Sequence, residues 1–84
     1  MTVQTILVVD DSATDRFFLT ELLETLGYTV IGAESGEECL SKVAEIKPDL
    51  ILCDVVMPGL TGFQVTRTLT KNPDTAGIPV ILCT

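Results

Sequence analysis

Eighty-four residues make one domain, and a chain of this length buries roughly 60 to 65% of the surface its unfolded form exposes, enough for a modest core. Twelve acidic against five basic residues give a net charge of -7, which argues against nonspecific attraction to nucleic acid or an anionic membrane and favours a cation or a basic partner. No apolar run approaches the ~18 residues that span a bilayer, and "MTVQTILVV" lacks a basic leader region and a cleavage site, so a cytoplasmic location is expected.

The run "TILVV", residues 5–9, is continuously apolar and β-branched, as in a strand buried on both faces of a parallel sheet. From Ala13 to Leu26 the residues Phe18, Leu19, Leu22, Leu23 and Leu26 recur at helical spacing, with acids and Arg16 on the other face and Gly27 placed to stop the helix. "YTVIGA", residues 28–33, reads as a second strand. Ser35 and Glu38 then form an S-x-x-E capping box opening a helix that runs to about Lys47, before Pro48. "DLILCDVV" predicts a third buried strand over 49–56, "MPGLTG" a turn, "FQVTRTLTK" a short helix closed by "NPD", and "IPVILCT" a fourth strand.

The order β-α-β-α-β-α-β implies right-handed crossovers and a parallel, doubly wound α/β sheet with helices on its faces. Ligands of such sheets bind beyond the carboxyl ends of the strands, where strand order reverses. Cys39, Cys53 and Cys83 are odd in number, widely spaced and set in apolar surroundings; with no His to complete a zinc set, they read as reduced core thiols.

Asp10 and Asp11 follow the first strand, Asp54 ends the third and Thr84 ends the fourth. If the first, third and fourth strands are neighbours, three carboxylates and a hydroxyl converge. Two charges ~4 Å apart repel by ~4 kcal/mol even at an effective dielectric of ~20, so a cation or protons must compensate. Oxygen ligands without His or Cys select Mg2+ or a similar hard ion. An aspartate beside Mg2+ can act as a nucleophile toward a phosphoryl group, and Asp54 fits best because the glycine-bearing turn "VVMPGLTG" could turn backbone N–H groups toward a phosphoryl oxygen. Taken singly, each residue has a plainer explanation: a solvated strand end or helix N-cap for Asp10 and Asp11, a turn-initiating Asp54, a strand-end Thr84, and loop geometry for Met57, Pro58, Gly59 and Gly62.

Together, "ILVVDDS", "PDLILCDVVMPGLTGFQVTRTL" and "IPVILCT" resemble the receiver domain of bacterial two-component response regulators, a flavodoxin-like fold, over the whole chain. The segment "GFQVTRTLTKNPDTAGIPVI" resembles regulators of the twitching-motility and phototaxis type. The resemblance implies that Asp54 takes a phosphoryl group from a sensor histidine kinase or histidine phosphotransfer protein. It also implies that Asp10, Asp11, Asp54 and the backbone carbonyl of Val56 hold Mg2+, and that Thr84 contacts the phosphoryl group and acts as the switch. No direct contact with nucleic acid or membrane is implied.

Receivers continue with a further helix, strand and helix that carry a lysine and an aromatic switch. The chain is therefore expected to be a receiver domain over 1–84 that is incomplete at its C-terminus, impaired in phosphorylation and self-associating through an open fourth-strand edge. Phe17 lies opposite the Phe18, Leu22, Leu26 stripe, as a docking contact or a partly buried or oligomer contact. Val56 is apolar where many receivers carry a polar side chain that guides water, which implies slow loss of the phosphoryl group. Two other readings use the same residues: a Mg2+-dependent phosphohydrolase with an aspartate nucleophile, and a noncatalytic assembly fragment. The first wants a general acid two residues past its nucleophile, where Val56 stands, so a phosphoacceptor that is not a turnover enzyme is favoured.

Overall fold

The structure, a computed structural model, describes residues 2–83. Four strands, β1 (Thr5–Val9), β2 (Thr29–Ala33), β3 (Leu50–Asp54) and β4 (Val80–Cys83), alternate with three helices, α1 (Ala13–Thr25), α2 (Gly36–Ile46) and α3 (Gly62–Lys71). All strand pairs are parallel, in the order β2-β1-β3-β4. The expected doubly wound parallel sheet is thus the one found. Fourth and first strands are not neighbours; β3 lies between them.

β1 is central, hydrogen-bonded on both edges and covered on both faces, which is why its Ile6, Leu7, Val8 and Val9 could all be apolar and are all buried. Each such side chain contributes roughly 1.5 to 3 kcal/mol on burial. Leu7 and Val9 join Ala33, Ile51 and Cys53 in one core with Cys39 and Val43 of α2 and Val65 and Leu69 of α3. α1 packs against β2 and β1. None of its residues is fully buried: Leu19 and Leu23, four apart, are half-buried, while Phe18, Leu22 and Leu26 of the predicted apolar stripe stay exposed. Phe17 is exposed as well and stacks edge-on against Phe18, ring centroids 6.4 Å apart.

Helix ends follow local chemistry. Ser12, Ser35 and Thr61 are the N-caps, their hydroxyls accepting the amides of Asp15, Glu38 and Gln64. Gly27, at φ 98°, stops α1 as expected. At α2 the predicted capping box is only half present, because the Glu38 carboxylate accepts the amide of Glu34 at 3.1 Å instead of that of Ser35. Lys42 explains the shift: its Nζ lies 3.3 Å from Glu38 Oε1 and donates to the Gly32 carbonyl at 2.5 Å, drawing the carboxylate toward the end of β2. A complete box occurs at α3, where Thr61 and Gln64 satisfy each other's amides at 3.2 and 2.9 Å. The T-x-x-Q spacing of Thr61 and Gln64, within and after the turn "MPGLTG", is the sequence signal for it.

Strands are shorter than their apolar runs. Tyr28 precedes β2, β4 begins at Val80, and β3 ends at Asp54. Val55 donates to the Cys83 carbonyl at 3.2 Å and its own carbonyl accepts the Gly62 amide at 2.9 Å, so the chain leaves the sheet there to enter α3. Cys39, Cys53 and Cys83 are free thiols, the first two buried, in keeping with core cysteines. No helix among the described residues is long and apolar enough to cross a membrane.

Candidate functional site

The chain moves from β1 to β2 on one side and then crosses back to β3 on the other, so strand order reverses between β1 and β3. A crevice opens at the carboxyl ends of strands at such a point. The register pairs Val9 with Cys53, which brings the next residues, Asp10 and Asp54, level with each other. One carboxylate oxygen from each of Asp10, Asp11 and Asp54 lies within 4.8 Å of the other two. Asp10 and Asp54 are half-buried and Asp11 is exposed.

The acidic turn is held by its backbone. The Asp10 amide donates to the Ala33 carbonyl at 3.1 Å, and the Ser12 amide donates to Asp10 Oδ1 at 2.9 Å. The helix N-cap is Ser12, which leaves neither aspartate tied up in that role. Burial pushes the Asp10 carboxyl above the ordinary aspartate range; the Ser12 N–H works against this, and repulsion from Asp54, Asp15 and Asp11 adds to it. Charges at such separations repel by roughly 3 to 4 kcal/mol at an effective dielectric of ~20, a cost that a bound cation converts into attraction.

The opposite wall is the loop after Asp54. Met57 is buried and anchors it in the core, whereas Val56 projects its side chain into solvent, 79% exposed. Gly59 takes φ 79°, and a Cβ there would lie 2.9 Å from Glu37 Oε2, so a left-handed conformation and close packing both call for glycine.

Chemically, the three gathered side chains are hard oxygen donors in a chain without histidine, and the neighbouring Cys53 thiol is buried with its pKa pushed up to about 11, chiefly by burial. This donor set fits Mg2+, which accepts a few carboxylates and retains water. Of the predicted site residues, Asp10, Asp11 and Asp54 are brought together, and Val56 follows two residues on. Thr84 lies outside the described residues; Cys83 before it pairs with Asp54. Sequence reading assigned no role here to Arg16, whose Nη1 donates to the Asp10 carbonyl at 2.6 Å. A basic residue in the first turn of the helix that follows the acidic pair was the available signal.

The profile of the family described as response regulator receiver domain matches residues 6–84. Protein PilH of Pseudomonas aeruginosa is 51% identical over 79 residues, covering 94% of this chain and 65% of PilH. Response regulator GacA of Pseudomonas viridiflava is 44% identical, covering 93% of this chain and 38% of GacA. The chain therefore spans less than two thirds of either relative's length. A crystal structure of the N-terminal domain of a response regulator receiver protein from Methanoculleus marisnigri superposes with TM-score 0.95 at 40% identity, over 99% of this chain and 68% of that one.

Proposed function

This chain belongs to the response regulator receiver domain family, and from that premise we propose that it is the phosphoacceptor module of a two-component signalling system, with Asp54 the acceptor. The observation that carries the reading is the convergence of the Asp10, Asp11 and Asp54 carboxylates within 4.8 Å at the reversal point of the sheet.

The donor is a phosphohistidine on a sensor histidine kinase or histidine phosphotransfer protein. An Asp54 carboxylate oxygen attacks phosphorus in line; a P–O bond forms, the P–N bond breaks, and the histidine nitrogen leaves with the electron pair and is protonated. The product is an acyl phosphate on Asp54. Mg2+, held by Asp10, Asp11, Asp54 and the Val56 backbone carbonyl, would supply positive charge against the phosphoryl oxygens in the loose transition state. Asp10 and Asp11 would hold the ion beside Asp54; Asp54 alone forms the bond. Thr84 contacts the phosphoryl oxygen and serves as the switch. The chain modifies itself and is no turnover enzyme, and it works in the cytoplasm without touching nucleic acid.

The 84-residue chain also self-associates in this reading. Ile81 is 52% exposed on β4, the last strand of the described sheet, and Phe18, Leu22 and Leu26 are exposed on α1. A second copy removes this apolar surface from water.

Incubation with acetyl phosphate and Mg2+, followed by intact-mass spectrometry, tests the assignment. The expected result is a gain of one phosphoryl group, on only part of the protein because this form is impaired in phosphorylation, that Asp54→Asn abolishes. Continuous phosphate release with turnover would instead mark a phosphohydrolase, and absence of both modification and Mg2+ binding a noncatalytic module.

A further inference from the structure

Arg16 sits on α1 with its guanidinium against the acidic turn, yet among the described residues it forms no ion pair with any of the three carboxylates. Its Nη1 donates to the backbone carbonyl of Asp10 at 2.6 Å. Its stem lies along Gly32 of β2, where a Cβ would meet Cδ, Nε and Cγ at 3.4, 3.6 and 3.7 Å. The Asp10 carboxyl is raised chiefly by burial, with the Ser12 N–H working against this and the neighbouring carboxylates adding to it. The guanidinium does lie near enough to Glu38 to help lower that carboxyl. Lys42 pairs with Glu38 at 3.3 Å and donates to the carbonyl of Gly32, the residue along which the Arg16 stem lies.

We propose that Arg16 is the positioning residue of the acidic site: it clamps the Asp10 carbonyl, so that the Asp10 and Asp11 side chains are set toward Asp54 before a cation arrives, while the cluster stays negative. The proposal rests on the Mg2+ reading of that cluster. Among the described residues the Asp10 turn has two other fixings, the Ala33 carbonyl and the Ser12 amide, and Arg16 is the only partner that contributes a side chain. A charged donor to a carbonyl is a strong hydrogen bond. Such supports typically change metal affinity by about 10- to 100-fold when removed.

The sign of the effect separates positioning from charge. If Arg16 acted only as a nearby positive charge, removing it would tighten Mg2+ binding. As a clamp, its removal weakens binding. Titration calorimetry with MgCl2 on the wild-type chain, Arg16→Ala and Arg16→Lys, each checked for folding by circular dichroism, reads the difference. Expected are a loss of about tenfold or more in Arg16→Ala and a smaller loss in Arg16→Lys, whose amine keeps the charge but not the reach of the planar fork. Unchanged or tighter binding in folded Arg16→Ala overturns the proposal and leaves the metal reading standing. No Mg2+ binding by the wild type overturns both. If Arg16→Ala does not fold, Arg16→Lys decides, and wild-type affinity in it overturns the clamp.

Discussion

The position a Cβ would take on Gly62 lies 2.5 Å from the carbonyl oxygen of Asp54. The first residue of α3 thus packs directly beneath the proposed acceptor, with Leu82 Cδ2 at 2.9 Å and Val55 Cα at 3.0 Å closing the remaining space. Two of those three atoms belong to the backbone and have nowhere to retreat. Gly62→Ala is expected to destabilise the chain by about 1 to 3 kcal/mol, the usual cost of overpacking, and to shift Asp54. Urea denaturation measures the first effect and weakened Mg2+ binding the second; wild-type values for both would contradict the packing argument.

Val56 stands in solvent beside the site with no group able to orient a water for attack on an acyl phosphate. Replacing it with Asn or Glu is expected to speed loss of the phosphoryl group several-fold, by supplying a hydrogen-bonding partner for that water. The decay of phosphorylated protein, followed by mass spectrometry after the phosphodonor is removed, gives the rate. Identical decay in wild type, Val56→Asn and Val56→Glu would refute it.

Asp49 ties the start of β1 to the loop before β3. Its Oδ2 accepts the amides of Thr5 at 2.9 Å and Gln4 at 3.0 Å, and these bonds, that of Thr5 first, hold its carboxyl below the ordinary aspartate value of 3.8. With the folded pKa lowered, the unfolded chain takes up the proton first as pH falls. The stability this group contributes is present above the ordinary value and is lost as pH drops through the lowered one. Asp49→Asn should melt below wild type near neutrality, and the gap should narrow below about pH 4. Parallel melting curves for the two proteins would show that the carboxylate is idle.

Burial drives the Cys39 thiol up to about 12 and is the main cause raising Cys53 to about 11. Both are therefore thiols at neutral pH, inert as nucleophiles and shielded as well. Cys83 is only half-buried. Iodoacetamide should label Cys83 first in the native protein, with Cys39 and Cys53 following only on addition of denaturant. Prompt labelling of all three without denaturant would mean the core opens.

Multi-angle light scattering across a concentration series is expected to show mass rising above the monomer value, because Ile81, Phe18, Leu22 and Leu26 are exposed large apolar side chains. Adding a charge at the edge strand, as in Ile81→Lys, should lower the association. A monomer at every concentration would contradict the proposed self-association.

Local spacing alone determined the order of the elements and most of their ends. Gly27 stopping α1 and the unbroken apolar run of a doubly covered β1 are read within a few neighbouring residues, and so they were legible in the sequence, whereas the cap of α1 is Ser12 and not the preceding aspartates. The identity of the acidic residues was legible too, since Asp10, Asp11 and Asp54 each interrupt an apolar run where a strand must end. What only tertiary structure decided is reach between elements. The order β2-β1-β3-β4 sets Asp10 level with Asp54, Lys42 draws Glu38 away from the expected box, and Arg16 spans from α1 to the Asp10 carbonyl. A helix face shows which side chains point together, but the groups they meet come from strands remote in the chain, and their placement follows from the direction of the crossovers.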